Sequence, residues 1–209
     1  LVVEPDILLL DEPLSALDAK VRQQMQLELR RLHKELGITF ILVTHDQEEA
    51  LTLSSKVVVM SKGRVEQIDS PKRIYETPRN EWVANFIGKA NLFNGTYLGN
   101  CVVKFNDLEF KVVDQAVRKF NAKVPIKFMI RPEDIQIVKL GRGFINARVT
   151  EVIYKGLMYT VRAKWKGTII SIESIGQVNV GTQIGLKWAS NVVHVMLDVM
   201  KRSPNEFTI

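Results

Sequence analysis

A single cysteine, Cys101, stands in 209 residues. One thiol excludes an internal disulfide framework and any cysteine-built metal site, and it suits a reducing compartment. No apolar run approaches the ~20 residues that a membrane-spanning helix needs. The opening LVVEPDILLL lacks the positive start and the small-residue cleavage site of a secretory signal. Internal repeats and low-complexity segments are also missing, which speaks against solenoid or disordered architectures.

What is present is ordinary globular composition, 46% apolar and 25% charged, in a length that suits one large or two ordinary domains. The net charge of +6 is unevenly spread. Residues 1–88 hold 11 Lys and Arg against 14 Asp and Glu, about −3, whereas residues 89–209 hold 18 against 9, about +9. A basic half can mean nucleic acid or an anionic membrane. These cations are scattered at strand spacing, however, so a solvated surface is the favoured reading.

The first 60 residues alternate between strand and helix patterns. Ile7 to Leu10 is a short continuous apolar run, the expected signature of a strand covered on both faces. Asp18 is a predicted N-cap for a helix from Ala19 to Leu36, in which Val21, Met25, Leu29, Leu32 and Leu36 form one apolar stripe. Gly37 stands where a C-cap glycine belongs. ITFILVTH reads as the next buried strand, succeeded by a helix that Asp46 opens. KVVVMSKGRVEQID reads as a hairpin turning at Gly63. Two short helices come next, one capped by Ser70 with Pro71 at its first position, the other ending at Gly88. Beyond about Ala90 short alternating segments predict a small β-barrel or sandwich, which puts the domain boundary at 88/89.

ILLLDEPLSALD, residues 7–18, carries the chemistry. An apolar strand that ends in two carboxylates directs them into the crevice where ligands bind in open α/β sheets. One acid suits Mg²⁺ and its neighbour suits an attacking water. An isolated Asp–Glu pair is as readily a strand ending at a polar turn. Here the pair leads into LSALD, then a helix, then a strand ending in THD, and that order favours the chemical reading.

In that order the sequence resembles the ATP-binding subunits of ABC transporters. The resemblance makes Asp11 the Walker B aspartate that holds Mg²⁺ and Glu12 the catalytic glutamate. Ser15 to Asp18 match the D-loop, so Ser15 and Asp18 are expected at the ATP site and its link to the partner subunit. His45 matches the switch histidine that senses the γ-phosphate. His33 and His194 belong to no motif. The stretch from VTHDQEEA to NFIG is similar to the importer branch that serves maltose, iron, sulfate and polyamines, and IRPEDI at Ile130–Ile135 resembles its TOBE domain. EVIYKGLMYTVRAKWKG and LKWASNVVHVM look most like its spermidine/putrescine members.

The implied fold is a partial α/β P-loop NTPase-type domain over 1–88, with an all-β OB-like TOBE barrel after it over 89–209. The implied function is ATP-driven import, with polyamines the expected cargo, at the cytoplasmic face of the cytoplasmic membrane. ATP and Mg²⁺ are the implied cofactors. A second copy, membrane-spanning permease subunits and, indirectly, a substrate-binding protein are the implied partners. A P-loop, an LSGGQ-type signature and a glutamine loop are not found in these residues. The chain opens at Leu1 and is expected to be the back part of something longer, inactive toward ATP by itself, with an exposed and adhesive sheet edge.

The alternative from a different class is a truncated, non-catalytic regulatory or dimerisation module dominated by the β-rich half. Nucleic-acid binding by the barrel needs aromatic platforms among cations. Trp165 between Lys164 and Lys166 is the single local candidate, and a strand tryptophan explains it equally, so nucleic acid is not an expected partner.

Overall fold

A computed structural model describes residues 5–114 and 123–196. The tail KRSPNEFTI, read from sequence as loose, lies outside these residues. The chain divides into two compact units, Leu1–Thr77 and Pro78–Ile209. This boundary precedes the 88/89 position drawn from the change in strand pattern. The reason is that the helix before residue 88 is hydrogen-bonded to the β-rich unit through Arg131.

In the first unit, β1 (Ile7–Asp11) and β2 (Thr39–Val43) pair in parallel, Ile7 opposite Thr39 and Asp11 opposite Val43. Between them runs α1 (Ala19–Leu36), capped by the Asp18 carboxylate, which accepts from the backbone N–H of Lys20 and Val21 at 3.0 Å each. Gly37 closes the helix at φ 65°, a left-handed conformation that costs glycine little. His33 of α1 meets the Phe40 ring edge-on at 5.0 Å, so α1 lies over the sheet face that carries Phe40. Among the described residues nothing covers the opposite face, where Ile7, Leu9, Ile41 and Val43 are between 45% and 72% exposed. β1 is therefore not the doubly covered strand expected from its continuous apolar run. The α1 stripe is likewise only partly covered, and no residue of that helix is fully buried.

After α2 (Gln47–Leu53), the strands β3 (Val57–Ser61) and β4 (Arg64–Asp69) form the expected hairpin. Lys62 and Gly63 turn it with both φ angles positive, the geometry that matches strand twist in a two-residue loop. Ser70 caps α3 (Pro71–Glu76), as predicted, and Ile74 is fully buried.

The second unit opens with α4 (Glu81–Ile87), capped by Asn80. Beyond it lie two five-stranded sheets. One has the order β14-β8-β5-β6-β7, from β5 (Asn91–Gly99), β6 (Val102–Phe105), β7 (Leu108–Lys111), β8 (Val124–Ile130) and β14 (His194–Met196). The other has the order β12-β11-β10-β13-β9, from β9 (Gln136–Val138), β10 (Ile145–Tyr154), β11 (Tyr159–Trp165), β12 (Thr168–Ser174) and β13 (Gln183–Lys187). Alternation builds both. In β11, Val161 and Ala163 are fully buried while Arg162 and Lys164 face solvent.

One core spans the two sheets, centred on the buried Phe128, whose ring lies 5.2–5.6 Å from those of Phe93, Phe105 and Phe110. Trp165 packs against Phe105 at 5.2 Å, at the margin of this core. Two buried polar side chains tie the unit together. The Asn91 amide binds both backbone groups of Ser171 at 2.8 Å, extending the edge of β12 as a peptide would. Arg131, 2% exposed, donates to the carbonyls of Ala84 at 3.0 Å and Lys89 at 2.9 Å. It thereby fixes the end of α4 to the end of β8.

Candidate functional site

The carboxyl ends of β1 and β2 bring the predicted residues into one place. Asp11 is the last residue of β1, exposed, and opposite Val43. Glu12 continues with φ 47°, a conformation that is uncommon outside glycine and turns the chain sharply at the strand end. Its N–H donates to the Val43 carbonyl at 2.8 Å, one last bond to β2. The Glu12 carbonyl then accepts from the Ser15 N–H at 3.3 Å and the Ser15 hydroxyl at 2.9 Å. Leu14, 2% exposed, anchors this turn beneath the loop. Asp18 ends it with its carboxylate committed to capping α1.

Two residues past β2, His45 places Nδ1 2.5 Å from Oε2 of Glu12. The hydrogen bond to Glu12, then the Glu12 charge, raise the pKa of His45 above its ordinary 6.5. Smaller contributions from Asp46 and Glu49 act the same way, and desolvation opposes them. The protonated imidazole is thus the form that the pair favours, and it orients the Glu12 carboxylate.

Ser15 reaches Glu12 only through the backbone carbonyl, and the side chains of Asp11 and Asp18 are not drawn into the Glu12–His45 pair. Among the described residues no three His, Cys, Asp or Glu side chains are grouped as a cation cage. A lone exposed carboxylate at a strand end still suits Mg²⁺, which commonly takes one or two carboxylates and completes its shell with phosphate and water oxygens.

Sequence reasoning missed the residues around the pair. Asp46, read only as a helix start, accepts from Glu48 N–H at 2.8 Å and from Glu49 N–H at 3.2 Å. Its other oxygen is 3.2 Å from the Arg22 guanidinium. The Thr44 hydroxyl donates to buried Glu49 at 2.8 Å and accepts from Asp46 N–H at 2.9 Å. Asp46 as a cap was legible; its bond to Arg22, 24 residues away, had no local signal.

The model of the TOBE domain family matches residues 128–196. The chain is 55% identical over 196 residues to the spermidine/putrescine import ATP-binding protein PotA of Ureaplasma parvum, an alignment that covers 94% of this chain and 37% of that protein. Identity is 50% to the protein of the same name from Malacoplasma penetrans and 44% to that from Clostridioides difficile, again over 94% of this chain, with 33% and 56% of those relatives covered. The chain therefore spans between a third and somewhat over half of the length of these relatives. Among solved structures, the molybdate-binding protein ModG aligns with 51% of the chain at a TM-score of 0.44 and 11% identity, too distant to bear on function.

Proposed function

We propose, for a chain that belongs by sequence with the ATP-binding subunits of spermidine/putrescine importers, that it supplies the hydrolytic edge of an importer ATPase. The α/β unit is read as part of a P-loop NTPase-type domain and the β-rich unit as its TOBE partner. The observation that carries the reading is the 2.5 Å contact between Glu12 and His45 at the carboxyl ends of two parallel strands.

In this reading Asp11 would hold Mg²⁺, which supplies charge neutralisation at the outer phosphates of ATP when bound. Glu12 orients a water and takes its proton at a carboxylate oxygen. His45 holds that carboxylate in place and presents a cationic ring toward developing phosphate charge. Ser15 and Asp18 lie on the turn expected to face a second copy. The polyamine cargo is taken from the name shared by the relatives, and permease subunits in the cytoplasmic membrane are the implied partners. No helix among the described residues is long and apolar enough to cross a membrane itself.

The test is turnover by the subunit that contains this sequence, assembled with its permease partners. Glu12→Gln is expected to lower kcat by a factor of about 10²–10⁴, the usual worth of a positioned base, while nucleotide binding persists. Undiminished turnover in that variant would sink the assignment.

The non-catalytic alternative draws on a different observation. Leu14, Val57, Val59 and Ile74 are the buried apolar residues of the first unit among those described, and all the others lie in the second. A β-rich module that is stable by itself would leave Asp11 and Glu12 without a role, and absence of ATP turnover from the unsubstituted protein would favour it.

A further inference from the structure

We infer that Arg22 is a positioning residue for the Glu12–His45 pair, clasping the turn after β1 to the loop after β2. It stands in the first full turn of α1 and reaches in both directions. One terminal nitrogen donates to the Leu17 carbonyl at 3.0 Å, within the Ser15–Asp18 turn. The other donates to Asp46 Oδ2 at 3.2 Å, immediately after His45.

These contacts close a ring. From Glu12 the chain runs through the turn held by Ser15 to Leu17, across Arg22 to Asp46, back one residue to His45, and across the imidazole to Glu12 Oε2. The His45 side is stiffened on both flanks. Thr44 is tied to buried Glu49, and Asp46 is tied to the first turn of α2 through Glu48 and Glu49. Two segments already joined by the β1–β2 pairing and the Glu12–His45 contact thus acquire a further link beside that contact.

The task suits arginine and not lysine. A planar fork presents two separate terminal nitrogens to two acceptors from one stem, whereas an ammonium gathers its three donors on one nitrogen and lacks that fixed spread. The Arg22 side chain is about one-third exposed, yet its Nε is buried and has no partner among the described residues. That orientation forgoes a third bond in order to satisfy the two ends. A cation serving only to pair with Asp46 on the surface would have no need of it.

The inference rests on the reading of Glu12 and His45 as the hydrolytic pair, so its test has two arms. In the ligand-free 209-residue chain, NMR tracks the titration of His45 in the parent, in Arg22→Lys, and in Arg31→Met as a control on the outer face of the same helix. Arg22→Lys is expected to bring the His45 midpoint down toward 6.5 with the remaining amide spectrum preserved, while Arg31→Met leaves it in place. In the importer subunit that contains this sequence, Arg22→Lys is expected to lower kcat about tenfold with KM for ATP within about twofold, the pattern of an interaction felt in the transition state and not in ground-state binding.

An unmoved His45 midpoint in Arg22→Lys would overturn the clasp. So would a loss of kcat accompanied by a proportionate rise in KM and a lowered melting temperature, which marks a merely structural arginine. Arg22→Gln, which leaves Asp46 charged, provides the same reading should Arg22→Lys fail to fold, because loss of a cation by itself would raise the His45 midpoint and not lower it. If the unsubstituted subunit lacks ATPase activity, the proposed function falls, while the His45 midpoint still decides whether Arg22 links the two loops.

Discussion

Glu12 combines a left-handed backbone at φ 47° with a side chain held at 2.5 Å from His45, so its carboxylate is aimed by both main chain and neighbour. The direction of the His45 shift has a consequence for stability against pH. The folded pKa is raised above the ordinary 6.5, so the protonated ring is bound more tightly in the folded state. Its contribution to stability is complete below the unfolded value and is lost as pH rises through the folded one. Glu12→Gln removes the hydrogen bond to an ionised oxygen together with the charge, the two largest causes of the shift. In that variant the His45 midpoint, read from its ring proton resonances, is expected to return toward 6.5, and the part of the pH dependence of stability that His45 contributes is expected to fall away. An unshifted midpoint would mean that another group holds the ring.

At the scale of elements, the first unit exposes more apolar surface than its pattern promised. Ile7, Leu9, Ile41 and Val43 line one face of the β1–β2 pair, and Val21, Met25, Leu32 and Leu36 of α1 remain 38–39% exposed. A contiguous apolar sheet face in water favours self-association, and two-stranded sheets leave open edges that add to it. The expectation is that the chain associates reversibly at micromolar concentration. A double substitution Leu9→Lys and Ile41→Lys, opposite each other in register, is expected to lower the association constant at least about tenfold, roughly 1.4 kcal/mol. Sedimentation velocity would decide, and association unchanged by both lysines would place the adhesive surface elsewhere.

The same elements show what was legible in advance. Alternation disclosed β11, because that strand has a wetter and a drier face, and caps disclosed α1 and α3, because their signals are local. A continuous apolar run such as Ile7 to Leu10 states what a strand is able to bury; the neighbour that would do it is a tertiary fact, and here one face has none among the described residues. The nearness of Glu12 to His45 was readable because both residues sit at strand ends in a specific order of motifs. Arg22 was not, since a cation on a helix looks the same whether it faces water or spans two loops. The 88/89 boundary tracked the onset of strand alternation, whereas the divide between the units depends on Arg131 reaching back to the end of α4.

The molecule as a whole joins a thinly cored unit to a densely cored one, and this asymmetry sets how it should unfold. The second unit buries four phenylalanines, Trp188 and a row of β-branched residues in one cluster, while the first has four buried apolar side chains described. Burial of apolar surface is the dominant stabilising term, so the first unit is expected to open at lower denaturant than the second. The three tryptophans, Trp82, Trp165 and Trp188, all belong to the second unit. The longest described helix, α1, belongs to the first. Tryptophan fluorescence therefore reports one unit, and helical circular dichroism at about 222 nm draws mainly on the other. In urea the dichroism signal is expected to fall first, with its midpoint at least about 1 M below that of fluorescence, a separation that two-state unfolding forbids. Coincident midpoints would show that the two units fold as one cooperative body and that the first borrows stability from the second.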